Sequence, residues 1–532
     1  MKSLRLLSLT CASLSLLTVA SMRAADATIQ PDGTSVAPAA RARGGRGDAP
    51  IAGIEKLTGG KEIPPGPFAP NWDSIKANYQ SPVWFAEAKF GIFMHWGLYS
   101  VAAHHNEWWV QHMYSGGADT QWQIAKFGPL DKFGYKDYIP LFRAEKWDAD
   151  AWAALFKKSG ARYVMPTAEH HDGWANWDSD LTPWNAKQMG PKRDLIGDLA
   201  KAVRAQGLHF GVSNHRIEHY GFIRPPANLA TDLDDPALQD FYWTANHSPE
   251  LYLKFLDTWV ARNFELIDKY QPDLLYFDNG VNPRNLDPLK LRVAAYYFNR
   301  AAALGKQVAF NTKQDAYLSG SIHDYERGRA PDIRPDAWQE DTSIAHNTWC
   351  YTDAIVYRNA GELIRELVDC VSKNGNYLLN ICPRGDGTIP DEQQLRLLQM
   401  GEWLRMNGEA IYSSRPWTRF GEGPTEEPVN GTRGITNGML KTYTSRDLRF
   451  TTRGDTLYAI LLAWPVDDQV VIASLATGAN LAGKITEVSL LGSANKLTFT
   501  QDAEGLKLKL PVIKPGEHAH VLKISGLKLS PR

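Results

Sequence analysis

Residues 147–171 read "WDADAWAALFKKSGARYVMPTAEHH". Trp152, Leu155 and Phe156 recur at helical spacing, Asp148 stands where an N-cap side chain belongs, and Gly160 stands where the helix must stop. An apolar run from Tyr163 follows at once and ends in Glu169, His170 and His171. Strands normally exit into Gly, Asn, Asp or Pro, so histidines and an acid at this position point to a function.

The same unit occurs twice more. "DLIGDLAKAVRAQG" places Ile196, Leu199 and Val203 on one face, and "LHFGVSNH" is its strand. A long helix around Leu256, Trp259, Val260 and Ile267 passes through Gln271-Pro272 into "DLLYFDNG". Helix, breaker, short apolar strand and polar end, repeated in series, predict a parallel sheet. The chemically busy residues follow the strands, where a (β/α)8 barrel builds its active site. A doubly wound sheet shares this rhythm, but no Gly-rich phosphate loop follows the first strand. The expected fold class is therefore α/β: a (β/α)8-like TIM barrel over 67–416, then a C-terminal antiparallel β-sandwich over 417–532. The second part is read from short alternating runs such as "LRFTTRGDTLYAILLA", "DQVVIASL", "ITEVSLLG", "NKLTFTQD" and "HAHVLKISG".

At the other end, "MKSLRLLSLTCASLSLLTVASMRA" combines Lys2 and Arg5 with a short apolar core, which predicts a signal peptide over 1–24 and a periplasmic or secreted protein. Residues 25–66, rich in Ala, Gly, Pro and Arg, are expected to be a disordered spacer. No later segment is apolar enough for a membrane span. Beyond the predicted signal, Cys350, Cys370 and Cys382 make no disulfide framework and no CxxC metal motif. A formal net charge of −1 excludes a nucleic-acid footprint. The 18 tryptophans supply flat apolar faces of the kind that stack on sugar rings.

Three strand ends carry the candidate chemistry. "FMHWG" supplies His95 and Trp96, with "NEWW" (Asn106 to Trp109) beyond it. "AEHHDGWANWD" supplies Glu169, His170, His171 and Asp172, then Trp174 and Trp177; "LLYFDNG" supplies Tyr276 and Asp278. In a barrel these converge. Histidines and carboxylates beside indole faces suit a polyhydroxylated ring, and glycoside hydrolysis needs two carboxyl groups flanking the scissile bond. Each has a plainer reading: Asp278 as a turn former, the histidines as core residues, the tryptophans as cover. A metal site from His95, His170, His171 and Asp172 is the rival chemistry. Adjacent strand histidines point to opposite faces and the spacing matches no metal motif, so neither a metal nor any other cofactor is expected.

"WFAEAKFGIFMHWGLYSV", "YVMPTAEHHDGWANWDS", "RDLIGDLAKAVRAQGLHFGV" and the stretch from "VDCVSKNGNYLLNICPRGDG" to "YSSRPW" resemble glycoside hydrolase family 29, the retaining α-L-fucosidases, over about residues 80–530. The resemblance implies the barrel-plus-sandwich fold, a fucosylated glycan as substrate, and double displacement through a fucosyl ester. It places the nucleophile on Asp278 and sugar contacts on His95, Glu107, Trp108, His170 and His171, with Tyr276 where a Trp is common. An aromatic run after the third strand is absent, so that a tyrosine contact to the sugar is expected either to be missing or to be replaced by His215 or His219. Glu326 in "HDYERGRAPDI" is the first choice for acid/base and Glu340 the second, with Glu107 and Glu218 behind them. Arg327 and Arg329, next to Glu326, are expected to face out or to meet the aglycone. Two alternatives stay open: the same chemistry on a related sugar such as an α-L-galactoside, and a non-catalytic fucose-binding protein.

Overall fold

The computed structural model describes residues 48–529 apart from 245–246, 314, 426–442, 480 and 495. Eight parallel strands close into a barrel in chain order: β1 (Phe90–Met94), β2 (Tyr163–Glu169), β3 (His209–Asn214), β4 (Leu274–Phe277), β5 (Ala309–Lys313), β6 (Ile322–Glu326), β7 (Trp338–Ser343) and β8 (Gly375–Ile381), with β8 pairing back onto β1. Closure decides between the two parallel-sheet alternatives in favour of the barrel. Every residue of β1, β2, β4, β5, β7 and β8 is buried, as strands covered on one side by helices and on the other by the barrel filling must be. Gly91 in β1 has a specific reason: a side chain there would run into the Tyr163 ring, 2.4 Å from the added carbon.

The local signals behave as their chemistry dictates. Helix Ala149–Lys158 begins with the Asp148 carboxylate accepting from the Ala151 amide at 3.0 Å and buries Trp152 and Phe156. Helix Leu195–Ala205 is capped the same way by Asp194, and helix Pro249–Tyr270 by Ser248. Each cap satisfies an amide that the first helical turn leaves without a partner.

The C-terminal part is an antiparallel sandwich. One sheet holds β9 (Arg415–Glu422), β10 (Leu448–Arg453), β11 (Thr456–Leu461), β13 (Gly483–Leu490) and β16 (His520–Leu527), in the order β13-β16-β11-β10-β9. The other holds β12 (Gln469–Ile472), β14 (Phe499–Gln501) and β15 (Leu506–Lys509), in the order β12-β15-β14. Phe450, Leu457, Val488 and Ile524 from the first share one core with Val470, Ile472, Leu506 and Leu508 from the second. Polar links join the sandwich to the barrel: Arg449 Nε donates to Asp369 at 2.6 Å, and Trp403 Nε1 to the Ala519 carbonyl at 2.7 Å.

The predicted signal peptide and residues 25–47 lie outside the described residues. The spacer expected to reach 66 ends earlier. Ile54 is buried, the Gly59 amide donates to Asp257 at 2.8 Å, Lys61 pairs with Asp268 at 2.6 Å, and Asn299 donates to the Pro64 carbonyl at 2.9 Å. Side chains of two outer helices hold this Pro/Gly-rich stretch against the barrel. Among the described residues no helix is long and apolar enough to cross a membrane, and the three described cysteines are free and buried.

Candidate active site

The C-terminal ends of the strands deliver the site. After β1 comes His95, whose Nδ1 donates to Asn380 Oδ1 at 2.8 Å; the Asn380 amide in turn donates to the Trp349 carbonyl at 2.6 Å. After β2 come His170 and His171. Gly173 (φ +78°) turns the chain there, and a side chain at that position would strike His219. His171 Nδ1 donates to the His215 carbonyl at 3.0 Å, which fixes Nε2 toward Glu218 (3.4 Å) and Asp278 (3.6 Å). His215, after β3, sets Nδ1 3.2 Å from Asp278. Asp278 follows β4 directly.

One cation organises the acids. Lys313 Nζ, at the end of β5, lies 2.6 Å from Asp278 Oδ1, 3.0 Å from Glu326 Oε2 and 3.5 Å from Asp341 Oδ2. The Asp278 and Glu326 oxygens are therefore no farther apart than the first two contacts laid end to end. That bound applies to the two nearest oxygens and admits the about 5–5.5 Å separation of retaining carboxyl pairs.

The electrostatics separate the groups. Burial alone would raise the Asp278 carboxyl, but Lys313, then His215 and His171, hold it well below the ordinary carboxylate range. Burial also opposes charge on His171, yet the Asp278 and Glu218 carboxylates carry it above the usual imidazole value. His95 and His170 are pushed well below that value by burial and by neighbouring imidazoles. Glu107, raised by burial, accepts from the Trp349 amide at 3.1 Å. Trp108, Phe222 and Trp349 stand around this group: Trp108 meets Phe222 edge-on at 5.5 Å, and Trp349 lies 5.5 Å from the His95 ring. Polar side chains and aromatic rings are thus gathered around Asp278. By spacing, two trios of these residues, His95/His170/His215 and His171/His215/Asp278, could reach one metal ion. Lys313 already supplies the positive charge that Asp278 requires.

Known proteins share the sequence and the fold of this chain. The family model described as alpha-L-fucosidase matches residues 58–409, and the model of the alpha-L-fucosidase C-terminal domain matches 441–525. The chain belongs to the alpha-L-fucosidases, glycoside hydrolase family 29. Tissue alpha-L-fucosidase of Rattus norvegicus is 34% identical over 479 residues, covering 87% of this chain and 94% of the relative; the Homo sapiens tissue enzyme is 32% identical over 478 residues, covering 87% and 93%. The crystal structure of Thermotoga maritima alpha-fucosidase in complex with fucose superposes with a TM-score of 0.69 at 32% identity, covering 86% of this chain and all of that one.

Within this fucosidase the predicted residues separate into groups. His95, Glu107, Trp108, His170, His171, Asp278 and Glu326 meet around the mouth of the barrel. Tyr276 does not join them: it has no accessible surface, and its hydroxyl lies 3.3 Å from Asp324 and 3.4 Å from Asp341, in the layer beneath the pocket. Two residues apart, Tyr276 and Asp278 share the inward face of β4, but Tyr276 sits one layer lower, in the barrel filling. Of the two histidines offered in place of a tyrosine, His215 reaches Asp278, while both nitrogens of His219 are taken by the carbonyls of His171 and Phe241. Glu340 points out of the barrel, 3.5 Å from Arg329, toward helix Ala360–Ser372, where Arg329 also pairs with Glu366. Its neighbour Asp341 points in. Arg329 thus faces out as expected, whereas Arg327 donates to the carbonyls of Ala345, His346 and Thr348 and covers the Trp349 ring. Trp174 and Trp177 are core residues, Trp177 donating to Glu265 at 2.7 Å.

The reading by strand ends overlooked Lys313, Asn380 and Trp349. "AFNTK" and "YLLNI" obey the same rule as the three strands that were read, a polar residue closing an apolar run. Lys313 carries an immediate expectation. In Lys313→Met, kcat/KM should fall about 100-fold. Without the ammonium that lowers it, the Asp278 carboxyl rises toward its ordinary value, so the acid limb of the pH–kcat/KM profile moves to higher pH. An unmoved limb would show that Lys313 does not govern Asp278.

Proposed function

We propose that the protein is an exported, exo-acting alpha-L-fucosidase that releases terminal α-L-fucose from fucosylated glycans with retention, through a covalent ester on Asp278 and with Glu326 as acid/base. The observation that carries this reading is Lys313 lying 2.6 Å from Asp278 and 3.0 Å from Glu326, because it draws the two carboxyl groups to opposite sides of one ammonium, a spacing compatible with double displacement. Asp278 is held ionised by three cationic or hydrogen-bonding neighbours, as an attacking carboxylate must be.

In the first step Asp278 attacks the anomeric carbon while Glu326 gives its proton to the departing glycosidic oxygen. The positive charge that builds up on the sugar forms beside the Asp278 carboxylate, with the imidazoles of His95 and His170, which burial keeps neutral, and indole faces around it in place of water. His95, fixed by Asn380, and Glu107, fixed by the Trp349 amide, are placed to bind sugar hydroxyls. Once Asp278 is an ester, Lys313 faces one anion fewer, which favours Glu326 as the carboxylate that takes a proton from the incoming water.

A non-catalytic binding protein would need no second carboxyl beside Asp278; Glu326 stands there. Export is supported by the charged, then apolar, sequence of residues 1–24. Following p-nitrophenyl α-L-fucoside hydrolysis by proton NMR should show α-L-fucose as the first anomer, with β-L-fucose appearing only by later mutarotation. β-L-fucose appearing first would refute retention. The intact mass of protein recovered from the native cell envelope or medium should lack the signal, and a full-length mass would refute export.

A further inference from the structure

A second cluster of histidines lies outside the catalytic group. His105 Nδ1 sits 2.7 Å from Asp119 Oδ2, His112 Nδ1 lies 3.8 Å from the same oxygen, and the two imidazoles stack face to face at 3.9 Å and 6°. His104 Nε2 takes the other oxygen of Asp119 at 3.2 Å. One donor atom from each of His105, His112 and Asp119 falls within 4.8 Å of the others. His112 Nε2 has no hydrogen-bond partner, so turning that ring breaks no hydrogen bond at Nε2. We propose that His105, His112 and Asp119 bind a divalent transition-metal ion such as Zn2+, with His104 orienting the carboxylate.

The chemistry fits. Two imidazoles and a carboxylate with an open fourth position are a common donor set for Zn2+, with bonds of about 2.0–2.2 Å. A ligating carboxylate is usually held by a hydrogen bond to its free oxygen, which His104 provides. Three imidazoles gathered on one carboxylate are otherwise a poor use of a surface, since protonating them would set like charges face to face.

The placement gives the ion a consequence. His105 and His112 bracket the segment that carries Glu107 and Trp108, and Asp119 lies in the first turn of helix Ala118–Phe127. The chain enters this segment through Ala103 (φ 50°) and His105 (φ 58°), both in the left-handed region that non-glycine residues rarely adopt. An ion here would tie that strained turn to the helix and stiffen one wall of the sugar slot. Binding of the ion does not depend on the catalytic reading; only its effect on the slot does.

The test uses EDTA-stripped full-length protein titrated with ZnCl2 by isothermal calorimetry. One equivalent should bind, Tm should rise with added Zn2+ by mass action, and Co2+ should give the visible absorption of a low-coordinate site. In His105→Gln/His112→Gln, and separately in Asp119→Asn, affinity should fall at least about 10-fold and the Tm response should vanish. The wild-type Co2+ spectrum stands even where a variant misfolds. The proposal is overturned if no saturable binding occurs up to about 1 mM, if the variants bind as tightly as wild type, or if binding is abolished by His171→Gln and by L-fucose, which would put the ion on the catalytic histidines.

Discussion

Asp278→Ala is expected to lower kcat on p-nitrophenyl α-L-fucoside on the order of 10⁴-fold or more, the scale seen when a covalent nucleophile is removed. The loss should be chemical rather than structural. Asp278 contributes no hydrophobic packing, and removing it also relieves Lys313 of only one of its three carboxylate neighbours. The variant should therefore keep its circular dichroism spectrum and still bind L-fucose. Azide adds a stereochemical readout. Entering from the side that Asp278 vacates, it should yield β-L-fucosyl azide, the inverted product. Retained activity within about 10-fold of wild type would place the nucleophile elsewhere, and α-L-fucosyl azide from this variant would contradict the assignment outright.

Glu326→Ala should behave differently in kind. Acid/base groups contribute about 10²–10⁴-fold, and the loss here should depend on the leaving group. p-Nitrophenolate departs without a proton, so the first step survives and the ester accumulates. An unactivated fucosylated disaccharide, which needs the proton, should be cleaved far more slowly. Azide requires no deprotonation and should restore turnover of the p-nitrophenyl substrate as α-L-fucosyl azide, the retained product. Glu340→Ala is the contrast. Glu340 lies among Arg329, Glu366 and Asp369 outside the barrel, so its loss should lower Tm, leave kcat near wild type, and give no azide rescue. Azide rescue of Glu340→Ala and not of Glu326→Ala would reverse the two roles.

The contrast between those glutamates shows where sequence reading stops. Glu326 and Glu340 are each a polar residue of a late barrel strand, and "DYERG" and "WQEDT" give no sign of which face each presents. Facing depends on strand register: β6 and β7 pair Tyr325 with Glu340 and Glu326 with Asp341, so Glu340 shares a row with an outward ring and Asp341 with the acid. Register is set by barrel closure, which no local pattern encodes. Depth is as hidden as facing: Tyr276, assigned to the pocket as a strand-end aromatic where the family commonly has a Trp, lies one layer below it. Barrel closure explains Lys313 as well, since a lone lysine after a strand gains meaning only when β4, β5 and β6 lie side by side. By contrast, the helix–breaker–strand units were legible because their caps and periodicity are local, and the strand-end histidines were legible because nothing in a structural strand exit calls for them. The sandwich strands were legible by alternation, apart from β9, whose burial does not alternate, and the four-residue β15, whose strict Leu-Lys alternation was overlooked.

The central claim is that Asp278 itself bonds to the sugar. The most direct test incubates the wild-type enzyme with a 2-deoxy-2-fluoro-L-fucosyl fluoride, whose fluorine slows hydrolysis of any glycosyl ester more than its formation, and then locates the label by mass spectrometry of peptides. The account predicts one fluorofucosyl group per chain, on the peptide containing "DLLYFDNG" and on Asp278 within it, released on transfer to an acceptor. Label on Glu326 or another carboxylate, or turnover of the reagent with no ester formed under conditions that trap a known retaining enzyme, would contradict it.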